Sequence, residues 1–122
     1  LSEFTPVGAA TIWEAVDENP SDGDTTYASS NVAGQRFYTT VPDLTGVGAV
    51  DALKISITGR KDDAGAGLVQ ASFREGGVNY DQGAIALTAT YQRYKADLTT
   101  MPSGAALTVS GVNALEYGVK DD

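Results

Sequence analysis

The chain has 122 residues, 16 acidic and 8 basic side chains for a formal charge of −8, no cysteine and no histidine. That length fits one domain with enough interior to fold without staples. Its charge, with no basic run longer than Arg60-Lys61, argues against a nucleic-acid or anionic-membrane partner.

The missing residues narrow the chemistry further. Without cysteine there are no disulfides, thiolate nucleophiles or Cys-ligated metals. Without histidine the Ser-His-Asp, Cys-His and His-zinc arrangements fail, and so does the usual general base near neutral pH. No apolar run nears the ~20 residues that cross a bilayer. With 14 glycines and only 20% charged residues, the composition reads as many short strands joined by tight turns.

Residues 1–10 read as an N-terminal arm or leading edge strand. Phe4, Pro6 and Val7 are its apolar members, a candidate docking segment or an ordinary first strand. Residues 11–16 fit a strand or one helical turn with Ile12 and Val16 on one face. Trp13, the single tryptophan, is expected to anchor the core. Residues 17–24 form a loop by their Asn-Pro and Asp-Gly signals. A short strand is predicted over 25–28, a turn over 29–34, and a strand over 35–41 that Pro42 closes.

The clearest strand is 50–58, where Leu53, Ile55 and Ile57 alternate with Lys54, Ser56 and Thr58. After a turn over 59–67, residues 68–74 alternate again, with Val69, Ala71 and Phe73 on one side. Glu75-Gly76-Gly77 is a tight hairpin signal. Val78–Tyr80 begins the return and Asp81-Gln82-Gly83 interrupts it. Residues 85–90 and 91–98 supply two more extended pieces, with Tyr94, Ala96 and Leu98 inward and Arg93, Lys95 and Asp97 wet. A loop over 101–104 and a short turn over 110–113 precede a last strand, where Leu115, Tyr117 and Val119 alternate with Glu116, Gly118 and Lys120. The sum is one all-β domain over 1–122, an antiparallel jelly-roll-type β-sandwich of about eight strands.

Three constellations carry candidate chemistry. Glu14, Glu75 and Glu116 are nominal carboxylates for glycoside hydrolysis, but neither spacing nor context joins them, and they read as surface charges. The acidic loop, with Asp17, Glu18, Asn19, Asp22 and Asp24 broken by Pro20 and Gly23, suits either a solvated turn or a structural Ca²⁺ held by Asp17, Asp22 and Asp24. No other cofactor is expected. Tyr27, Tyr38, Tyr80 and Tyr91 could stack a sugar, or serve as core and strand-pair residues.

The Ile12–Ser30 stretch, the Ala52–Gly65 stretch and the closing Val112–Lys120 together resemble a set of small tailed-phage structural proteins. In that set a Trp precedes an Asp-Gly-Asp-Thr-Thr-Tyr-like loop, and the chain closes on Val-Asn-Ala-Leu-aromatic-Gly-Val-Lys. The resemblance covers most of 11–120. One departure is Leu107, where the family often has Trp before Thr. The resemblance implies a jelly-roll module of the virion: a head decoration protein, head fibre or tail appendage. It implies a non-enzymatic role, other virion proteins as partners (the major capsid protein first), and a homo-oligomer, with a trimer as one form. The alternative is a carbohydrate- or receptor-binding module on a tail appendage or secreted enzyme, with a host-surface glycan as ligand.

Overall fold

The computed structural model describes residues 2–17, 20 and 22–122. Leu1, Glu18, Asn19 and Ser21 lie outside the described residues, and with them part of the N-terminal arm and of the acidic loop.

Among the described residues the chain makes nine strands and one short helix: β1 Thr5–Val7, β2 Tyr27–Ser29, β3 Arg36–Thr39, β4 Leu53–Gly59, β5 Leu68–Glu75, β6 Val78–Asp81, β7 Ile85–Ala86, β8 Gln92–Leu98, α1 Val109–Asn113 and β9 Glu116–Asp121. The fold is mostly β with antiparallel sheets. It comprises three sheets: β1-β2, β4-β8, and a five-stranded sheet in the order β3-β9-β5-β6, with β7 on β5. None closes on itself.

The alternation in β4 and β8 builds the second layer. Register pairs Leu53 with Leu98, Ile55 with Ala96 and Ile57 with Tyr94. One side of this ribbon is therefore apolar, as its period of two dictates. That side packs on Ala71, Phe73 and Tyr117 of the large sheet, with Met101, Val112 and Leu115 completing the cluster. The rings of Phe73 and Tyr117 meet edge to face, centroids 6.0 Å apart. Leu107 joins this core from the partly buried side.

Turn chemistry fixes the β5–β6 register. Glu75 pairs with Val78 across a two-residue connection. Both central residues are glycines with positive φ, +57° at Gly76 and +86° at Gly77. That is the backbone of a primed hairpin turn, whose twist matches the strands. Farther along, β6 pairs Ser72 with Asp81 whereas β7 pairs Val69 with Ile85. Three residues, 82–84, thus oppose two, 70–71. The interruption foreseen at Asp81-Gln82-Gly83 is a bulge, pinned by the Gln82 amide on the Ala71 carbonyl at 2.8 Å.

The arm is folded onto the domain. Ser2 bridges Phe37, the Glu3 amide donates to the Arg36 carbonyl at 2.8 Å, and Thr5–Val7 pairs with β2. Residues 110–113, expected as a turn, belong to α1, whose N-cap Thr108 accepts from the Gly111 amide at 3.0 Å.

Trp13 is a correction. It is not a core anchor but 47% exposed. Residues 11–16 form a helical turn, with the Ala15 amide on the Thr11 carbonyl. Thr11 and Glu14 close it as a capping box: the Glu14 carboxylate accepts from the Thr11 amide at 3.1 Å, and the Glu14 amide donates to the Thr11 hydroxyl at 3.3 Å. Ile12 and Ala15, three apart, take the buried side. Trp13 and Val16 are turned outward.

Candidate functional site

An open groove of about 530 Å³ runs between the arm and this turn, lined by Phe4, Pro6, Ile12, Trp13, Tyr38 and Thr39 with Ser2, Ala10 and Thr11. The sequence placed Phe4 and Pro6 in a docking segment and Tyr38 in a sugar-stacking set. The fold brings these three together around Trp13. Phe4 is half-buried because its ring meets Phe37 edge to face, centroids 5.1 Å apart. Val7 sits in β1, paired with Tyr27. What the sequence reading missed is the exposed indole. Its signal was available: Thr11-x-x-Glu14 marks a helix start, and the period of that turn points Ile12 and Ala15 inward instead of Trp13.

Tyr38 links the groove to a polar network on the far face of the large sheet. Register aligns Tyr38, Gly118, Ser72 and Asp81 across β3, β9, β5 and β6. The Tyr38 hydroxyl lies 2.7 Å from Ser72 Oγ, and Ser72 Oγ donates to Asp81 Oδ1 at 2.7 Å. A carboxylate only accepts, so Ser72 spends its one proton on Asp81 and accepts from Tyr38. The other Asp81 oxygen takes the Arg36 guanidinium at 2.6 Å and lies 3.6 Å from Lys120 Nζ. Desolvation pushes the Asp81 carboxyl up, but the hydrogen bonds from Ser72 and Arg36 and the charges of Arg36 and Lys120 outweigh it, leaving it below the ordinary 3.8. Chemically this chain is closed. Ser72 is fully buried, and its proton already has an acceptor, so no substrate reaches it.

The acidic loop is differently engaged. Asp22 accepts from the Thr26 amide at 3.3 Å and the Thr26 hydroxyl at 3.0 Å, a turn-capping role. Asp24 accepts from the Tyr91 hydroxyl at 2.7 Å and from Arg60 at 3.1 Å, and the Arg60 guanidinium lies over the Tyr91 ring, 5.4 Å from its centroid. The Tyr91 hydrogen bond, then Arg60, holds the Asp24 carboxyl below its usual range. Asp17 is exposed. Among the described residues no three acidic side chains converge as a metal site would need.

Nor do the four tyrosines form one platform. Tyr27 is in the β1-β2 sheet and Tyr91 precedes β8, while Tyr38 and Tyr80 occupy opposite faces of the large sheet. The three glutamates are equally separate: Glu14 caps its own turn, Glu75 accepts from the Ser103 amide and hydroxyl, and Glu116 pairs with Arg74 at 3.6 Å. No helix among the described residues is long and apolar enough to cross a membrane. Compared with family models, curated proteins and solved structures, the chain finds no match.

Proposed function

We propose that this chain is a non-enzymatic structural protein of a tailed-phage virion, a jelly-roll-type sandwich that attaches to the particle as a decoration or head-fibre protein and works as a homo-oligomer. The major capsid protein is its first partner. One observation carries the attachment reading: a tryptophan nearly half exposed in an open groove beside Phe4 and Pro6. Rigid aromatic anchors of this kind dominate protein interfaces. The buried Ser72 hydroxyl already donates to Asp81, and the Thr11 hydroxyl in the groove is held by Glu14 within the capping box of its own turn, which supports a role without catalysis. The virion itself rests on the sequence resemblance.

A second reading has its own observation. Trp13 is accompanied in the groove by the hydroxyl-bearing Ser2, Thr11 and Thr39, a combination that suits a neutral sugar on an aromatic ring.

The test is co-sedimentation with undecorated heads of the cognate phage, using the intact chain and Trp13→Ala. Saturable binding that Trp13→Ala weakens at least tenfold supports attachment through the groove. Because Trp13 is the single tryptophan, its emission should also shift to the blue on binding. No binding to heads, with a blue shift on a glycan instead, would transfer the groove to the second reading.

A further inference from the structure

The β4-β8 ribbon is a layer with two open edges. Two strands face a sheet four strands wide. Among the described residues, no backbone hydrogen bond joins residues 53–59 or 92–98 to anything but each other. Such an edge is a template for another strand, and proteins defend edges they do not use with charges, prolines or bulges.

The two edges are defended unequally. On its wet side β8 carries Arg93, Lys95 and Asp97, all exposed. β4 carries Lys54, Ser56 and Thr58 there, and Leu53, Ile55 and Ile57 on the core side. It is seven residues long with no proline and one charge, the composition that pairs most readily with its own kind.

We propose that β4 is covered by β4 of a second copy, antiparallel about a two-fold axis through Ser56. That register keeps all seven residues paired. It sets Ile55 beside Ile57 of the partner subunit on the apolar side and Lys54 beside Thr58 of the partner subunit on the wet side. No like charges oppose. The matching full-length register for β8 centres on Lys95. It sets Arg93 against Asp97 of the partner subunit, which attracts, but it puts the Lys95 ammonium against its own copy at the axis, and the three exposed charges of β8 are what guards an unused edge. Moving the β8 axis to Tyr94 opposes Arg93 to Lys95; moving it to Ala96 leaves only residues 94–98 paired within the strand. Self-pairing therefore selects β4. The product is a continuous four-stranded layer with the charged β8 strands outermost. This inference stands on the ribbon alone and is independent of the particle the protein serves.

The absence of native cysteine makes the register directly readable. Ser56→Cys, Thr58→Cys and Lys95→Cys are all wet-face substitutions. Under mild oxidation Ser56→Cys should cross-link to a disulfide dimer, because residue 56 faces itself at the axis, within the usual reach of a disulfide. Thr58→Cys and Lys95→Cys should remain largely uncross-linked. In sedimentation, Thr58→Lys should weaken the dimer about tenfold and Thr58→Glu tighten it, since each subunit sets this position against Lys54 of the partner subunit. Thermal unfolding of each variant checks that the monomer is intact, because position 58 also faces Arg93 within the ribbon. A wild-type chain that sediments as a monomer, or cross-linking of Lys95→Cys at least equal to that of Ser56→Cys, overturns the proposal.

Discussion

Tyr38 and Ser72 are two strands apart, yet their hydroxyls meet at 2.7 Å because the residue between them is Gly118. The tyrosine ring crosses over the bare backbone of β9 and delivers its proton to a fully buried serine. Ser72→Ala should cost about 1–3 kcal/mol, because it strands the Tyr38 hydroxyl and one Asp81 oxygen together. Tyr38→Phe removes one donor and leaves Ser72 bound to Asp81, so its cost should be nearer ~1 kcal/mol. Denaturant unfolding of the two variants measures both, and the ordering is the decisive part. A costlier Tyr38→Phe would mean that ring packing, not the proton chain, holds these strands.

Gly118 itself should tolerate no side chain. A Cβ there would run into the Phe37 carbonyl oxygen and stand 2.9 Å from Cδ1 of the Tyr38 ring. Both neighbours are fixed, one as backbone and one as a buried ring. Gly118→Ala should therefore destabilise by about 3 kcal/mol or more, at the upper end of what overpacking does. Thermal unfolding checks this, and a loss below ~1 kcal/mol would show that β3 can slide away from β9 at little cost.

Asp81 ties stability to acid. Its folded carboxyl titrates below the unfolded value of 3.8, so the folded state binds fewer protons. The stability it contributes is full above that value and disappears as the pH falls through the lower, folded one. The unfolding free energy should decline steeply below about pH 4. Asp81→Asn should start less stable at neutral pH and decline less in acid. Parallel pH profiles for the two proteins would assign the acid sensitivity elsewhere, Asp24 being the next carboxylate held low.

The hairpin at Gly76-Gly77 can be improved. At Gly76, φ is +57° and nothing lies within 4 Å of where a Cβ would stand. Asparagine adopts this conformation more readily than other side-chain-bearing residues, and Asn-Gly is the preferred pair for such a turn. Gly76→Asn should stabilise by about 0.4–1 kcal/mol, chiefly by restricting the unfolded chain. A thermal midpoint at or below that of the wild type would count against this turn geometry.

Strand periodicity made the antiparallel strands legible in the sequence, but not their division into three sheets. β4 and β8 announce themselves because their inner and outer residues alternate, and local pattern suffices when one face is wet; β5 alternates in residue type although both its faces are covered. The helical turn at 11–16 was half legible: its period was seen, but pairing Ile12 with Val16 rather than with Ala15 left Trp13 on the wrong side. The groove was not legible as a unit, since Phe4, Trp13 and Tyr38 come from three segments that only the folded chain brings together. The Tyr38–Ser72–Asp81 chain depends on four strands being aligned to the residue. No local pattern encodes a register between segments 34 residues apart.

The position of β9 has a consequence for the life of the nascent chain. β9 is the last strand in the sequence, and it lies between β3 and β5. Until residues 116–121 leave the ribosome, the large sheet has a gap at its centre, and Tyr38 has no β9 to cross. Docking β3 therefore awaits the emergence of β9. A message cut short before this strand should yield a product that proteases clear, and not a smaller working domain.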